Sequence, residues 1–413
     1  MDVKIIPSPL SGEVKIPPSK SAAHRALICA ALSEGNGRVE PYCTSKDIKA
    51  TAACLRALGM RIDEDPQGYT VGRGEVRKGS TLDFNESGST ARFLLPVAAA
   101  LGAEITAIGQ GRLPERPMEV LTGLLREHGV EASSDKLPIS LKGTLNSGTF
   151  RLPGNISSQY ISGLMLAAPL LDGDVFIEPT TDLESVGYID MTVDAMKKQG
   201  VAVEETTKGW KIDATQNYKP TNTVIEGDWS QAAFFMSAAA IGGDIKISGL
   251  DFASHQGDMA ALDVFAAFGA DITIEDGVLH IKKGTLRGIE VNAADIPDMV
   301  PAIAATAAFA TGKTVIHSAE RLRIKESDRI KTTLAALNAM GIKTEERPDG
   351  MVIYGGTPNG GRIDGANDHR IVMAFSVAAA YAQGESIITG AQAISKSYPE
   401  FYKDFERIGG KTE

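Results

Sequence analysis

Two kinds of helix alternate along the chain, and the spacing of their hydrophobic positions distinguishes them. One kind is rich in alanine and apolar nearly all round, and its six copies begin near Ser19, Ser87, Ser157, Asp228, Asp298 and Asp368. The other kind has apolar residues on one face only, as between Asp47 and Leu58. A helix that is apolar on every side belongs in an interior, whereas a one-sided helix lies nearer the surface.

Each one-sided helix ends at a glycine, and these glycines recur at a nearly constant interval. Successive intervals are 70, 71, 69, 72 and 68 residues, between Gly59, Gly129, Gly200, Gly269, Gly341 and Gly409. Glycine commonly follows a helix where the backbone turns left-handed, and short apolar strands come next. The pattern predicts six βαβαββ repeats, because a period of roughly 70 residues is too long for the usual helical solenoids.

The length of the chain indicates two domains of three repeats each. A chain of 413 residues exceeds what one ordinary core supports. The sixth repeat stops after its helix, so we expect a strand at residues 3–6 to complete it. The first domain is then predicted at residues 19–225 and the second at 1–18 plus 226–413. The hinge is expected near residues 17–19 and 225–228.

Composition narrows the possible partners and surroundings. The net charge is -10 and the pI is about 5.3, which argues against a nucleic-acid or membrane surface. Cys29, Cys43 and Cys54 fit no metal-ligand spacing and predict reduced thiols in a cytoplasmic protein. No stretch resembles a signal peptide or a membrane span. We expect a cytoplasmic protein.

Polar and basic residues gather where the buried helices begin. Lys20 and Arg25 lie in the first such helix start, and further cations occupy the loops 112–117, 321–329 and 395–399. Helix N-termini attract anions through unpaired N–H groups and the helix dipole. If these ends share one cleft, the matching ligand carries more than one phosphate or carboxylate. The alternative from these residues alone is a set of ordinary capped helices.

The loop 321–329 suggests acid–base chemistry as well as anion binding. Lys325 and Arg329 are like charges at a spacing of four residues, which is mildly unfavourable on a helix, and an anion between them would remove the conflict. Glu326 beside Lys325 offers a proton donor and acceptor pair whose pKa values burial could shift toward neutrality. His369 is more typical of a packed or capping histidine than of a catalyst.

Taken together, the motifs resemble the 5-enolpyruvylshikimate-3-phosphate (EPSP) synthase family over essentially the full chain. The motifs are Pro18-Ser19-Lys20-Ser21 with Arg25, Ser157-Ser158-Gln159, the run Leu322 to Arg329, Asp368-His369-Arg370, and Lys396. The resemblance implies a two-domain inside-out α/β barrel of six βαβαββ units, three per domain. It also implies a transferase that moves the enolpyruvyl group of phosphoenolpyruvate to the 5-hydroxyl of shikimate 3-phosphate. The reaction releases phosphate, and it belongs to the shikimate pathway, which leads to chorismate and aromatic amino acids.

The resemblance implies a monomer that binds small molecules and needs no metal and no cofactor. It also implies roles for individual residues. The catalytic residues would be Asp298 as the base for the hydroxyl proton, and Glu326, assisted by Lys20, for protonation of the methylene carbon. Those that hold shikimate 3-phosphate would be Lys20, Ser21, Arg25, Ser157, Ser158, Gln159, Ser185, Asp298 and Lys325. Those that hold phosphoenolpyruvate would be Lys20, Gly88, Arg116, Gln159, Arg329, Arg370 and Lys396.

Two positions depart from the family pattern. Glu86 stands where many members have asparagine, so its carboxylate is expected to point away from the phosphate or to pair with a cation such as Arg92. Arg321 stands where some members have asparagine in the shikimate phosphate site, which places that contact in question.

Two alternatives compete with this interpretation. A UDP-N-acetylglucosamine enolpyruvyl transferase typically carries a cysteine in the loop that is 112–117 here, and this loop has none. A non-enzymatic DNA clamp-like ring would need cations along its inner helices, whereas the cations here lie in loops at helix ends.

Overall fold

The computed structural model describes residues 1–413 and divides them into two compact units. One unit comprises Met1–Pro17 and Glu226–Glu413, and the other comprises Pro18–Ile225. Each unit has its own hydrophobic core. No helix is both long enough and apolar enough to cross a membrane.

Twelve α-helices alternate between buried and one-sided types. They are α1 (Lys20–Ala31), α2 (Lys46–Ala57), α3 (Gly88–Ala100), α4 (Glu119–Glu127), α5 (Ser158–Ala167), α6 (Val186–Lys198), α7 (Trp229–Gly242), α8 (Ala261–Phe268), α9 (Val300–Ala307), α10 (Arg329–Ala339), α11 (His369–Ala380) and α12 (Phe401–Arg407).

Twenty-four short strands separate the helices. They are β1 (Val3–Ile6), β2 (Ser11–Lys15), β3 (Asn36–Glu40), β4 (Arg61–Asp65), β5 (Gly68–Gly72), β6 (Ser80–Asp83), β7 (Ile105–Ile108), β8 (Glu131–Ala132), β9 (Ile139–Lys142), β10 (Gly148–Leu152), β11 (Val175–Pro179), β12 (Glu204–Thr206), β13 (Gly209–Ile212), β14 (Asn222–Val224), β15 (Asp244–Ser248), β16 (Asp271–Glu275), β17 (Val278–Lys282), β18 (Glu290–Asn292), β19 (Lys313–His317), β20 (Lys343–Arg347), β21 (Gly350–Tyr354), β22 (Arg362–Asp364), β23 (Ser386–Thr389) and β24 (Lys411–Thr412).

The strands form six sheets of four, all with one pairing scheme. The strand orders are β14-β3-β5-β4, β6-β7-β9-β8, β10-β11-β13-β12, β2-β15-β17-β16, β18-β19-β21-β20 and β22-β23-β1-β24. In each sheet the first pair is parallel and the other two pairs are antiparallel, as in β10 with β11 and then β13. In four of the sheets the parallel pair brackets a buried helix, as a βαβ crossover requires. These sheets confirm the predicted α/β fold of repeated units.

Two strands belong to sheets that the order of the repeats does not suggest. β2 precedes α1 in sequence, yet it pairs with β15, which follows α7. Conversely, β14 precedes α7 but pairs with β3, which follows α1. The first and fourth repeats have therefore exchanged their opening strands, which a repeat pattern alone cannot reveal. The N-terminal strand β1 joins the sheet of the sixth repeat, between β23 and β24.

The helix ends follow the predicted glycine pattern. All six glycines have positive φ: Gly59 (99°), Gly129 (92°), Gly200 (81°), Gly269 (102°), Gly341 (78°) and Gly409 (104°). A left-handed residue closes the end of each one-sided helix at little steric cost, because glycine has no Cβ.

The alanine-rich helices pack against one another inside each unit. In residues 18–225 the mutually contacting helices are α1, α3 and α5, and in the other unit they are α7, α9 and α11. Every residue of α11 is buried. The apolar pattern predicts that Pro96 and Pro169 lie within two of the buried helices and kink them. Pro96 does lie within α3, but Pro169 lies outside any α-helix. It lies in a 3-10 turn after α5 has ended at Ala167, because a proline cannot supply the next backbone hydrogen bond.

Candidate active site

Helix starts in the unit 1–17 plus 226–413 bring five charged residues together, and we call them the arginine–carboxylate cluster: Asp298, Glu326, Arg329, Asp368 and Arg370. Asp298 lies in a 3-10 turn just before α9, and Arg329 is the first residue of α10. Asp368 caps α11 by accepting a hydrogen bond from the Arg370 backbone N–H at 3.0 Å. Residues far apart in sequence thus meet because three helices begin side by side.

Arg329 is the centre of the arginine–carboxylate cluster. Its guanidinium is 1% exposed and donates to Asp368 Oδ2 at 2.8 Å, to Glu326 Oε2 at 2.7 Å and to Asp298 Oδ1 at 2.8 Å. Ser327 Oγ adds a hydrogen bond to Asp368 at 3.0 Å. A buried cation with three carboxylate partners is strongly held in its charged form. Burial lowers the pKa of Arg329, but the three carboxylates raise it above its ordinary value.

Asp298 forms ion pairs with cations on two other segments. Arg370 Nη2 lies 2.9 Å from its second carboxylate oxygen and 3.1 Å from Ser230 Oγ. Lys325 Nζ lies 3.6 Å from Oδ1 of Asp298. Burial raises the pKa of Asp298, but Arg370, Lys325 and Arg329 outweigh burial and hold it well below its usual range. The carboxylate is therefore ionised at neutral pH.

The expected conflict between Lys325 and Arg329 is resolved by an anion of the protein itself. Asp298 Oδ1 contacts both cations, at 3.6 Å and 2.8 Å. Burial, together with Arg329 and Arg321, lowers the pKa of Lys325 to about 8, despite the attraction of Asp298 and Glu326. Lys325 is thus a cation that can lose its proton within a few units of neutral pH, as the pattern of 321–329 suggested.

Three further residues surround this cluster. Lys396 Nζ donates to the backbone carbonyl of Asn367, directly before Asp368, at 2.5 Å. Arg321 Nη2 donates to the carbonyl of Ala294 at 2.5 Å, in the loop that leads to Asp298. His369 is buried as the first residue of α11.

A second group of basic and polar side chains lies in residues 18–225, and it begins with Lys20. Ser19 caps α1 by accepting from the Ala22 backbone N–H, so Lys20 is the first helical residue. Lys20 Nζ lies 2.8 Å from Asp47 Oδ2, and both side chains are largely buried, at 14% and 12% exposure. The carboxylate on α2 therefore holds the ammonium group at the start of α1.

Arg25 is held by hydrogen bonds to α1 and α6 and by a ring contact with α3. Its Nε donates to Thr192 Oγ1 at 2.7 Å, and its Nη2 donates to the Tyr188 carbonyl at 2.7 Å. Its Nη1 donates to the Ser21 carbonyl at 2.7 Å, and the guanidinium lies 5.0 Å from the centre of the Phe93 ring. Arg25 thus connects α1 to α3 and α6. The expected contact between Arg25 and shikimate 3-phosphate stays a prediction.

Gly88 leaves room for two arginines at the start of α3. A Cβ on Gly88 would overlap Nη1 of Arg92 and would lie 2.6 Å from Nη1 of Arg116. Arg92 Nη1 also donates to Gln159 Oε1 at 3.1 Å, and Gln159 Nε2 donates to Ser89 Oγ at 2.8 Å. Two buried guanidinium groups and one amide therefore converge on a backbone turn without a side chain, a suitable place for an anion.

The serines of the motifs occupy helix starts. Ser157 caps α5, where its Oγ accepts from the Gln159 backbone N–H at 3.3 Å, and Ser158 is the next residue. Ser185 precedes α6 in a left-handed conformation with φ of 58° and makes no side-chain cap. Ser21 follows Lys20 in α1 and accepts from Arg25 through its carbonyl.

The carboxylate of Glu86 is directed to Gly111. A Cβ on Gly111 would overlap its carboxylate, whereas Arg92 donates to Gln159. Whether Glu86 points away from the phosphate or pairs with a cation stays a prediction.

The structure groups the predicted site residues in two sets, one in each unit. Residues 18–225 contain Lys20, Ser21, Arg25, Gly88, Arg116, Ser157, Ser158, Gln159 and Ser185, and the other unit contains Asp298, Lys325, Glu326, Arg329, Arg370 and Lys396. Sequence reasoning assigned no role to Asp47 or Ser89, and it considered Arg92 only as a partner for Glu86. Their contacts join residues 27 to 70 positions apart, so no local pattern reveals them. No group of three or more His, Cys, Asp or Glu side chains is arranged to bind a metal.

Comparison with known proteins identifies the family. The family model described as EPSP synthase (3-phosphoshikimate 1-carboxyvinyltransferase) matches residues 5–405. The chain belongs to the EPSP synthase family. A 3-phosphoshikimate 1-carboxyvinyltransferase of Clostridium novyi is 41% identical, with 99% of this chain and 98% of that protein covered. Its counterpart from Clostridium acetobutylicum is 42% identical, with 99% and 97% covered.

Solved structures agree with the family assignment. The EPSP synthase of Acinetobacter baumannii has a TM-score of 0.84 and 27% identity, covering 100% of this chain and 99% of that chain. The enolpyruvyl transferase NikO of Streptomyces tendae, with a TM-score of 0.79 and 17% identity, supports the fold alone. The predicted family, enzyme class and fold class are confirmed, and neither the UDP-N-acetylglucosamine enzyme nor a DNA clamp is favoured.

Replacing Arg329 with methionine should destabilise the unit 1–17 plus 226–413 by about 3–5 kcal/mol, because three buried carboxylates lose their shared cation. The chain has two tryptophans, Trp210 in residues 18–225 and Trp229 in the other unit. In a Trp210→Phe background, Trp229 fluorescence during urea unfolding reports the affected unit.

A matched control for Arg329 is Arg362→Met, which breaks the exposed ion pair with Asp2. This change should cost less than about 1 kcal/mol. If the two variants unfold at the same urea concentration, that result would contradict the central role of Arg329 in the arginine–carboxylate cluster.

Proposed function

We propose that this chain transfers the enolpyruvyl group of phosphoenolpyruvate to the 5-hydroxyl of shikimate 3-phosphate and releases inorganic phosphate. The observation that carries the proposal is the family match over residues 5–405, joined by relatives about 40% identical that bear the name of this reaction. The reaction is a step of the shikimate pathway toward chorismate and aromatic amino acids. The cations in both units support it, because both substrates are anions.

Two sets of residues are proposed to hold the substrates. Phosphoenolpyruvate is assigned to Lys20, Gly88, Arg116, Gln159, Arg329, Arg370 and Lys396. Shikimate 3-phosphate is assigned to Lys20, Ser21, Arg25, Ser157, Ser158, Gln159, Ser185, Asp298 and Lys325. The convergence of Arg116 and Arg92 on Gly88, and of Arg329 and Arg370 on Asp298, supports anion binding by the phosphoenolpyruvate set.

The proposed chemistry consists of an addition followed by an elimination. Glu326, with Lys20 assisting, serves in proton transfer to the methylene carbon of phosphoenolpyruvate, and the adjacent carbon becomes cationic. The 5-hydroxyl oxygen bonds to that carbon while Asp298 accepts its proton. The bond from that carbon to the phosphate oxygen then breaks and phosphate leaves. Glu326 takes a proton back from the methyl group, and the double bond returns in the enolpyruvyl product.

Asp298 is suited to become a stronger base when the substrates bind. In this structure Arg370 and Arg329 help to hold its pKa well below the usual range. When the anionic groups of phosphoenolpyruvate accept hydrogen bonds from these arginines, the arginines stabilise the Asp298 carboxylate less. The pKa of Asp298 would then rise toward the range useful for accepting the hydroxyl proton.

The organisation of the protein around this reaction stays a prediction. The domains at residues 19–225 and 1–18 plus 226–413, the hinge near 17–19 and 225–228, the monomeric state and the cytoplasmic location are all proposed from sequence.

Phosphate release from phosphoenolpyruvate tests the function directly. The purified protein should release phosphate only when shikimate 3-phosphate is present, with one enolpyruvyl ether formed per phosphate by mass spectrometry. UDP-N-acetylglucosamine serves as the competing acceptor. Release with that acceptor, or release with no acceptor at all, would reject the assignment.

Replacing Lys20 with methionine should reduce kcat by about 100-fold or more, because a positioned cation at developing charge is lost. The matched control is Lys46→Met, which removes an exposed lysine at the start of the neighbouring helix α2. Circular dichroism should show that both variants are folded. Near-normal turnover of Lys20→Met would remove Lys20 from the catalytic set.

The affinity for shikimate 3-phosphate should fall as pH rises above about 8, where Lys325 loses its proton. A bound phosphate favours the protonated lysine, so the loss of affinity appears at or above this pKa. Calorimetric Kd values between about pH 7 and pH 9.5 should rise by about 10-fold or more, since one charge-assisted contact is lost. Lys325→Arg keeps its charge throughout this range and should flatten the profile. A flat wild-type profile would exclude Lys325 from the phosphate contact.

A further inference from the structure

A buried chain of hydrogen bonds links three helices in residues 18–225, and we call it the His24 chain. His24 Nδ1 lies 2.8 Å from Thr51 Oγ1, and Thr51 Oγ1 lies 2.7 Å from Thr90 Oγ1. Thr90 Oγ1 lies 2.7 Å from Ser87 Oγ, the cap of α3. All four residues are 0% exposed. Four polar groups in a core are costly unless they satisfy one another, so their alignment calls for an explanation.

The His24 chain lies one helical turn below the Lys20–Asp47 ion pair. Lys20 and His24 are four residues apart on α1, and Asp47 and Thr51 are four residues apart on α2. Residues at this spacing share a helix face, so α1 and α2 meet through two polar contacts, one above the other. Thr90 Oγ1 also lies 3.4 Å from the Asp47 carbonyl. The chain therefore connects the start of α3 to the pair that holds Lys20.

Counting hydrogens gives the His24 chain one direction. Burial, with the positive charges of Lys20 and Arg25, lowers the pKa of His24 well below its ordinary value, so the ring is neutral and has one N–H. If that hydrogen were on Nε2, it would be a buried donor without an acceptor, since Nε2 has no partner. The other tautomer leaves Nε2 as an unused buried acceptor, which proteins tolerate more often than an orphaned N–H group. With the hydrogen on Nδ1, His24 donates to Thr51.

The rest of the His24 chain then follows in sequence. Thr51 has accepted a hydrogen from His24 and donates its own to Thr90, which donates in turn to Ser87 Oγ. Ser87 Oγ also accepts from the Thr90 backbone N–H at 3.2 Å, as a helix cap does. These mutual hydrogen bonds restrict the side-chain rotamers of His24, Thr51 and Thr90. The chain ends at Ser87, the residue before Gly88.

We propose that His24, Thr51 and Thr90 are positioning residues that set the Ser87–Gly88 turn against Lys20 for the reaction. This inference rests on the proposed function, in which Gly88 and Lys20 both hold phosphoenolpyruvate. Arg92 and Arg116 approach Gly88 so closely that a small shift of the turn would displace both guanidinium groups. Displacements of about 1 Å in a reacting geometry can reduce rates by about 100-fold. The three residues act through the turn and touch no substrate.

Thr51→Val tests the proposal, because valine keeps the shape of threonine and removes only the hydroxyl. The KM for phosphoenolpyruvate should rise by about 10-fold, as for loss of a buried hydrogen-bonded group. The KM for shikimate 3-phosphate should stay within about two-fold, since Asp47 still holds Lys20 and most of its proposed ligands lie elsewhere. Thr51→Ser restores the hydroxyl and should return the phosphoenolpyruvate KM to near the wild-type value.

A second variant keeps the test decisive if Thr51→Val folds poorly. Thr90→Val interrupts the His24 chain at its next member and should give the same selective rise in KM. The combined variant should lose little more than either one alone, because both changes break one chain. Thr122→Val is the matched control, since it removes a buried hydroxyl of α4 outside the chain, bonded to the Met118 carbonyl. Thr122→Val should lower stability without changing either KM.

The outcomes separate the two proposals. A wild-type protein that releases no phosphate with shikimate 3-phosphate rejects the proposed function and this inference with it. A normally active wild type whose Thr51→Val and Thr90→Val variants keep both KM values rejects the positioning role alone, even if their melting temperatures fall. Equal rises in the two KM values also reject it, because they indicate general loosening of the unit.

Discussion

Close packing of three small-residue helices constrains everything else in each unit. Helices α1, α3 and α5 contact one another, as do α7, α9 and α11, and their sides are almost wholly buried. Alanine, glycine and serine let such helices approach closely, but they leave no exposed flank for polar chemistry. Functional side chains can then lie only at the helix ends and in the loops before them. Both sets of proposed site residues are found at such positions.

The helix starts carry their own counterions. Lys20 is held by Asp47, and Arg329 by three carboxylates, so the cations are paired within the protein. Pairing offsets the cost of burying these charges and fixes the orientation of the charged side chains. It also means that the pKa values of Asp298 and Lys325 depend on the neighbouring charges and on any other group that binds those neighbours. Anionic substrates that compete for these cations would therefore change the basicity of the site as they bind.

Local sequence patterns predicted much of the fold and part of the site. Glycines at an interval near 70 residues predicted the ends of the one-sided helices, because a left-handed residue after a helix favours glycine whatever lies beyond it. The cap residues Ser19, Ser87 and Asp368 were equally visible, since a cap acts within three residues. Pro169 was misplaced because a proline marks a helix end as readily as a kink. The substrate contacts assigned to the motif residues stay predictions.

The sequence alone determined the number of repeats, the two helix types and the cations at helix starts, because each depends on neighbours a few positions away. Only the tertiary structure decided the exchange of β2 and β14 between sheets, the carboxylates that surround Arg329 and the alignment of His24, Thr51 and Thr90. Those features join residues tens to hundreds of positions apart. Their energies come from burial and mutual hydrogen bonding, which exist only when the helices have packed.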